Sequence, residues 1–472
     1  MRPGYARLSF LQPLRALGAQ LRAAAPDHAA ILKGMLTVAA FVFVGKLASA
    51  IKEMAVAYRY GLGAEVDAYQ FLYTVIGWPL GVWSSVLTAV LVPLAVRLRH
   101  QQGDLARFRS ELLGLVIVAG LALAGLAWLV LHTLFQLGQS GLPPRLASLA
   151  GAALPGLILL LPLGMLTALQ SAWMLAAERH VNTLLECIPP LSIGALVMAL
   201  PGGGMRALVW GTVAGSVLHL LSLMAPLGRH DRERAPRLAL SSPQWSWFWQ
   251  GFGIMVGGQA LMSLTVVIDQ FYAAGLGTGA IAMLGYANRI LALILGLAAI
   301  AVSRATLPIF AQAQAHAQAG AHLRAVARLW AGILFALGLL AMLASHAAAP
   351  WMVRLLYERG QFGAADTAAV AEVLRYGLPQ LPFYFSSMVL VSYALSQRRY
   401  QLVFVSALIG CVAKIAGNAL LVPVLGVNGI ALGTMLVYAS TGLFFWHALI
   451  VRGARDEGPA GSRGRAAGKR RT

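Results

Sequence analysis

The segment Lys46-Leu-Ala-Ser-Ala-Ile-Lys-Glu53 lies within the first of two long apolar stretches, and Tyr60-Gly-Leu-Gly-Ala-Glu-Val-Asp67 is the hinge between them, within residues 31–99. Each stretch is long enough to cross a bilayer, which takes about 20 apolar helical residues. A charge at the centre of a membrane helix costs roughly 2.5 to 3.5 kcal/mol on insertion scales, so such residues usually face protein or a water-filled cavity. Lys46, Lys52 and Glu53 therefore predict a first helix that lines a polar cavity.

The composition of the 472-residue chain is that of a membrane protein. Hydrophobic residues make up 59% and charged residues 11%, whereas roughly a quarter of the residues in soluble domains are charged. The net charge of +20 would suit nucleic acid or an anionic membrane surface. Because the cations lie mainly at the ends of apolar stretches, they indicate membrane topology, and we expect no nucleic-acid partner. Cys187 and Cys411 lie far apart in apolar stretches, which predicts no disulfide.

Twelve apolar stretches follow one another, and most are long enough to span a membrane. Pro155-Gly156, Pro189-Pro190 and Pro379 with Pro382 are candidate bends. The pattern predicts an all-α polytopic membrane protein with about 12 transmembrane helices. The stretches are 31–58, 67–96, 111–138, 146–175, 181–200, 206–227, 246–273, 279–308, 327–349, 367–396, 401–423 and 426–450.

Lys and Arg are distributed unequally between the two predicted sides of the membrane. Most lie before the first stretch, in alternate loops and after the last stretch. By the positive-inside rule these segments, including both termini, are cytoplasmic. The predicted divisions are a cytoplasmic basic tail at 1–30, a six-helix lobe at 31–228, a cytoplasmic linker at 229–243, a six-helix lobe at 244–450 and a disordered basic tail at 451–472.

The chain also contains two short internal sequence repeats, which occur in the same order in each half. Such repeats predict two pseudo-symmetric six-helix lobes of the same orientation around a central cavity, with the substrate between them. The matched pairs are Gly61-Leu-Gly63 and Gly275-Leu-Gly277, Pro93 and Pro308, Pro155 and Pro379, and residues 171–179 and 392–398.

These residues, taken in order, resemble the MurJ (MviN) family of lipid II flippases, within the multidrug/oligosaccharidyl-lipid/polysaccharide exporter superfamily. The resemblance covers about residues 31–450. It rests on the two opening segments quoted above and on Leu91-Val-Pro-Leu94, Tyr286-Ala-Asn-Arg289, Leu295-Gly296, Leu307-Pro308, Leu356-Tyr-Glu-Arg-Gly-Gln-Phe362, Gly417-Asn418, Val422-Pro423 and Gly426.

The resemblance implies a flippase of the bacterial inner membrane that moves a polyprenyl-diphosphate-linked sugar from the cytoplasmic to the outer leaflet. Lys46 and Lys52 stand where the family has arginines, whereas Glu53, Asp67 and Arg289 keep the family's residue types. We take these five as candidate substrate-binding residues. The family has fourteen helices, of which the last two help to hold the lipid tail, whereas this sequence contains twelve apolar stretches. A polyprenyl-linked precursor of a surface polysaccharide is therefore an alternative to lipid II.

The sequence departs from the family at several polar positions. The arginine pair expected in the second stretch is missing near Pro79 and Leu80, and Ser84-Ser85 replaces an expected Glu-Gly pair. Asn288 and Ala292 stand where acidic residues are expected beside Arg289. The substrate could accordingly differ from lipid II.

A flippase for such a lipid needs a polar path for a diphosphate and a glycan. Cations supply charge-assisted hydrogen bonds to a phosphate, and Lys46, Lys52 and Arg289 are the candidates. Ion pairing with acidic residues of other helices is the alternative role for these side chains. Trp78, Trp83, Trp173 and Trp351 either stack on sugars or belong to the interfacial aromatic belt.

Asp269 and Glu186 are carboxylates within apolar stretches and are candidates for coupling transport to a proton or cation. A salt bridge from Asp269 to Arg289 or Lys414 is the plainer interpretation. His219, alone on an apolar helix, is more typical of a hydrogen-bonded packing residue than of a ligand. We expect no bound cofactor; a coupling cation or the membrane potential is left open as the energy source.

The chain contains no P-loop, metal-ligand spacing or nucleophile motif, so we expect a transporter rather than an enzyme. A cation-coupled efflux transporter of the same superfamily, with an acidic and aromatic cavity, is one alternative. A non-transporting membrane scaffold for envelope synthesis is another. Expected partners are the polyprenyl-linked glycolipid, membrane lipid and, as candidates, envelope-synthesis enzymes.

Overall fold

The computed structural model describes residues 26–98, 102–200, 202–226, 235–296, 320–397 and 399–451. The parts of the predicted tails before residue 26 and after residue 451, residues 229–234 of the predicted linker, and Pro308 lie outside these ranges. The first eight helices are α1 (Pro26–Tyr60), α2 (Ala64–Leu98), α3 (Gln102–Gln136), α4 (Pro144–Leu157), α5 (Leu160–Ala176), α6 (Val181–Leu185), α7 (Ile188–Ala199) and α8 (Met205–Met224). The others are α9 (Gln244–Ala274), α10 (Ala280–Gly296), α11 (Gly320–Tyr357), α12 (Ala364–Gly377), α13 (Gln380–Ser396), α14 (Tyr400–Leu425) and α15 (Val427–Phe445), which continues as a π-helical turn, Trp446–Val451.

The helices confirm the all-α membrane class. The described parts of all twelve predicted stretches fall mainly on helical segments. Within the described ranges, eight helical segments are long and apolar enough to cross a membrane, and the pair α4–α5, bent by 47°, makes a ninth. The remaining stretches fall on α1, whose residues 31–58 carry four charges, on α10, whose described part is short, and on the broken pair α12–α13. Twelve complete spans and two lobes therefore stay a prediction.

Helix breaks lie close to the prolines that predicted bends. The α4–α5 break follows Pro155, and α7 begins with Pro189 in its first turn. A proline near a helix start loses no intrahelical bond, because its missing N–H would have no partner there. The α12–α13 break occurs at Pro379.

Local geometry repeats between the two halves of the chain. The broken pairs α4–α5 and α12–α13 both consist of a 14-residue helix followed by a 17-residue helix. The last two helices of each half are joined at a glycine in nearly the same left-handed conformation, Gly204 (φ 49°, ψ −143°) and Gly426 (φ 57°, ψ −133°). These matches support the internal repeat that the sequence echoes predict.

Helix α9 packs against both halves. Its beginning belongs to the core of the first half, where Trp245 and Phe248 pack with Phe108 of α3. Its end reaches α14 of the second half through Asp269. Residue 244 thus begins the second half in the sequence, but α9, which starts there, packs against helices of both halves.

The described end of the linker is hydrogen-bonded to the buried carboxylate of Glu111 in α3. Glu111 accepts hydrogen bonds from Trp245 Nε1 (2.7 Å), from the Ser241 hydroxyl (2.8 Å) and from the Ser242 amide (3.1 Å). The Arg237 amide also donates to the Ser110 carbonyl (3.0 Å). A carboxylate with this many donors is well compensated for its burial.

Candidate functional site

Lys52, Glu53 and Arg289 form one ionic group, which we call the cation cluster. Glu53 of α1 is 5% exposed. Its Oε1 lies 2.6 Å from Nε of Arg289 in α10, and its carboxylate also pairs with Lys52 Nζ. The cluster therefore joins a helix of the first half to one of the second. With two cations and one carboxylate it carries an excess positive charge, which suits binding of an anion.

Lys46 and Asp67 lie apart from this cluster. Lys46 is exposed on α1 and interacts electrostatically with Glu186. The Asp67 carboxylate accepts hydrogen bonds from the backbone amides of Gly279 (2.5 Å) and Ala282 (2.8 Å), at the N-terminus of α10. This is an N-cap supplied by another helix, and it satisfies amides that have no partner within α10. Of the five candidates, three are brought together, and Asp67 orients the helix that carries Arg289.

Asp269 is engaged in the second half. Lys414 is 1% exposed, and its Nζ lies 2.8 Å from Asp269 Oδ1. The same ammonium donates to the Ile430 carbonyl (3.1 Å) and the Thr434 hydroxyl (2.7 Å), while Asn418 Nδ2 donates to Asp269 Oδ1 (2.9 Å). Of the two partners predicted for Asp269, Lys414 forms the salt bridge, and Arg289 pairs with Glu53 instead. A coupling role for Asp269 stays a prediction.

A cavity of about 830 Å³ opens among α2, α5, α6, α7, α8 and α9, and we call it the N-half cavity. Glu186 and Asn182 line it from the α6 region, His219 from α8, and Tyr73 and Trp78 from α2. The volume falls within the roughly 300–1,000 Å³ typical of ligand pockets. Glu186, predicted as a coupling residue, is thus placed in a cavity, although its coupling role is untested.

The N-half cavity lies beside the cation cluster. Tyr73 lines the cavity and is close enough to interact electrostatically with Glu53 and Arg289. On the other side, α7 contributes Pro189 to the cavity, and its Gly194 packs directly on the backbone of Lys52. An anion held by the cluster and a group held in the cavity would therefore be neighbours.

Sequence reasoning singled out Glu186, His219 and Trp78 but did not place them around one cavity, and it missed Asn182 and Ser216. Asn182 and Glu186 are four residues apart, and Ser216 and His219 are three apart, so each pair lies on one helical face. The helical spacing of these polar pairs could have indicated that they line a polar cavity. Trp78 lines the cavity, whereas Trp173 is fully buried in the core and Trp351 is exposed. In the part of the chain that the structure describes, no group of three His, Cys, Asp or Glu residues could hold a metal ion.

Comparisons with known proteins agree with this architecture. The family model described as lipid II flippase MurJ matches residues 56–458. Probable lipid II flippases MurJ from two strains of Helicobacter pylori are 30% identical over 203 residues, which is 42% of this chain and 42% of each relative. The matched region thus spans about two fifths of the length of these curated relatives.

Solved structures share the fold. A lipid II flippase MurJ in an inward closed conformation matches with a TM-score of 0.76 at 19% identity, over 88% of this chain and 87% of that chain. An inward-facing multidrug resistance MATE family transporter of the MOP superfamily matches with a TM-score of 0.70 at 15% identity, over 88% and 96%.

Proposed function

The chain belongs to the MurJ lipid II flippase family, and we propose that it is a flippase for a polyprenyl-diphosphate-linked sugar precursor, lipid II or a related lipid-linked oligosaccharide. It acts by alternating access in the bacterial inner membrane, with both termini in the cytoplasm. It is a multi-pass membrane protein and, in this proposal, a transporter without catalytic activity. The glycolipid substrate and membrane lipid are its partners.

The cation cluster is the observation that carries this proposal. A diphosphate taken out of water needs charge-assisted donors, and Lys52 and Arg289 supply them from helices of both halves. Glu53 reduces the cost of burying the two cations while leaving an excess positive charge. Since α1 and α10 each contribute one cation, a movement of one half against the other would change the site, as alternating access requires.

Transport by the purified chain tests the proposal. Proteoliposomes would contain the full-length protein and a fluorescent polyprenyl-diphosphate disaccharide, and quencher accessibility would report the leaflet. We expect protein-dependent transfer that Lys52→Ala and Arg289→Ala slow by about tenfold or more, the loss of a charged hydrogen bond. Arg354→Ala is the control, since Arg354 forms an exposed pair with Glu358 (3.6 Å). Transfer without protein, or equal rates in all variants, would overturn the proposal.

One observation favours the efflux transporter as a second candidate. The described residues that line the N-half cavity include the carboxylate of Glu186 and several aromatic rings but no Lys or Arg. The same proteoliposomes discriminate the two functions. Uptake of an organic cation driven by a sodium or proton gradient, with no lipid transfer, would support efflux.

Depletion in the host identifies the glycan. Accumulation of inward-facing lipid II, rescued by wild type and not by Arg289→Ala, would indicate the peptidoglycan precursor. A normal cell wall with loss of a surface polysaccharide would indicate another polyprenyl-linked glycan. Normal synthesis of both would contradict the flippase proposal.

A further inference from the structure

Gly285 of α10 makes room for two polar side chains beside the cation cluster. A Cβ added at Gly285 would overlap Oε1 of Gln70 and would lie 2.9 Å from Nη1 of Arg289. The ends of these two side chains therefore occupy the space that any larger residue at 285 would fill. Since Gln70 belongs to α2, this contact brings a third helix to the place where α1 and α10 meet.

Gln70 lies at the end of the face that α2 presents to the N-half cavity. The α2 residues that line this cavity begin with Tyr73 and Thr74 and recur as far as Thr88. Gln70 precedes Tyr73 by three positions and Thr74 by four, so it shares their helical face. It is 6% exposed. Its amide thus stands between the N-half cavity and the guanidinium of Arg289.

The side chain of Arg289 has donors for more than its ion pair. Its Nε lies 2.6 Å from Glu53 Oε1, and the same carboxylate also pairs with Lys52. A guanidinium has five N–H donors, more than one shared carboxylate can use. The Arg289 side chain is 31% exposed, so a ligand can reach it. An anion bound there would meet the Nη groups on the side where Gln70 lies.

The amide of Gln70 complements such an anion. A glutamine side chain offers two donors and one acceptor, and a half-turn of the amide exchanges their positions. An ionised diphosphate presents only acceptors, so the Gln70 NH₂ group can donate to it. Hydrogen bonds to charged groups are the stronger ones. A neutral donor also adds affinity for the anion without a further charge to bury.

We propose that Gln70 is a recognition residue of the diphosphate site, where its amide donates to a phosphate oxygen that the Nη groups of Arg289 also bind. Gly285 is the position that lets the two side chains reach this oxygen together. The inference rests on the proposed flippase function and assigns to α2 a direct part in holding the substrate.

Gly285→Ala separates binding from packing. The full-length protein in nanodiscs would be titrated with a polyprenyl diphosphate that carries no sugar. The added Cβ displaces the ends of Gln70 and Arg289, so we expect binding weaker by about tenfold. The thermal midpoint should stay unchanged or rise, because both displaced groups are flexible and alanine favours a helix over glycine.

Gly332→Ala is the matched control. Gly332 is a helical glycine of α11 with nothing within 4 Å of an added Cβ. This variant should show the same effect of alanine on stability and bind the diphosphate as wild type does. A clear fall in the thermal midpoint of Gly285→Ala alone would mean that Gly285 serves packing, and would overturn its part in the proposal.

Gln70→Leu removes the amide while nearly keeping the side-chain volume. We expect it to bind the same lipid about tenfold more weakly, with the thermal midpoint of wild type. Wild-type affinity in Gln70→Leu, together with weakened binding in Arg289→Ala, would overturn the role of Gln70 and leave the flippase proposal standing. Failure of wild type to bind the lipid, or equal binding by Arg289→Ala, would overturn both proposals.

Discussion

The Asp67 carboxylate accepts hydrogen bonds from the Gly279 and Ala282 amides and thereby caps α10, so a residue of the first half completes the N-terminus of a helix in the second. Its hydrogen bonds join α2 to α10 close to the turn after α1. In the same region the Gln361 amide donates to the Tyr58 carbonyl (2.9 Å), which adds a second link between the halves. Asp67 thus controls the placement of Arg289 without being part of the cation cluster.

Loss of this cap should lower stability. Asp67→Ala removes both acceptors from the start of α10, and the loss of a cap costs about 0.5–2 kcal/mol. We expect a lower thermal midpoint in detergent, with Asp67→Asn intermediate because an amide retains one acceptor. Asp366→Ala is the control, since Asp366 caps α12 through the Gly363 amide (3.0 Å) at an exposed site within one half. A larger loss for Asp366→Ala would contradict an interhelical role for Asp67.

The buried pair Asp269–Lys414 should behave as a coupled unit. Removal of one partner from a buried ion pair leaves an uncompensated charge and typically costs about 3–5 kcal/mol. Lys414→Met and Asp269→Asn are each expected to destabilise the protein strongly.

The double variant tests the coupling of Asp269 and Lys414. It should lose much less stability than the sum of the two single losses, as measured by denaturation in detergent micelles. Additive losses would show that the two charges act separately. Full stability of either single variant would show that the pair is dispensable.

Gly61 is expected to tolerate no side chain. It has a left-handed φ of 52°, and an added Cβ would lie 2.7 Å from the Gln361 carbonyl oxygen across the two halves. Gly426 has a similar φ of 57° with nothing within 4 Å of its added Cβ, so it is the matched control. Gly426→Ala should cost about 1–3 kcal/mol from backbone strain alone, because its φ of 57° and ψ of −133° lie in a sparsely populated region.

The additional loss of stability in Gly61→Ala, compared with Gly426→Ala, reports how closely the two halves approach each other at Gly61. We expect a larger drop in the thermal midpoint for Gly61→Ala in the same detergent. Equal drops for the two variants would mean that residues 58–61 and 360–361 do not pack tightly in solution.

The sequence predicted best the features that depend on residues close together along the chain. The helical stretches, their breaks at Pro155 and Pro379 and the charges of α1 all follow from short windows of residues. Partner choice was harder to predict: Lys414 was one of two candidates for Asp269, and Arg289 pairs with Glu53 instead. These pairings join residues more than a hundred positions apart, and the spacing within one helix does not indicate which other helix faces it.

His219 shows why the cavity escaped prediction. A single histidine on an apolar helix suggested a hydrogen-bonded packing residue. His219 does line the N-half cavity, and its Nε2 is buried without a hydrogen-bond partner in the described part of the chain. Asn182 and Glu186 reach the same cavity from another helix. In a membrane protein the helices are apolar on most sides, so hydrophobic periodicity does not fix the rotation of each helix about its axis.

By itself the sequence determined the membrane class, the helical stretches, the repeat and the presence of cations in the first helix, because burial in lipid imposes apolar length and confines charges to rare positions. The tertiary structure alone decided which charges meet and where the polar cavity opens. Those outcomes depend on how helices distant in sequence rotate and pack, which is set by the summed contacts of many side chains.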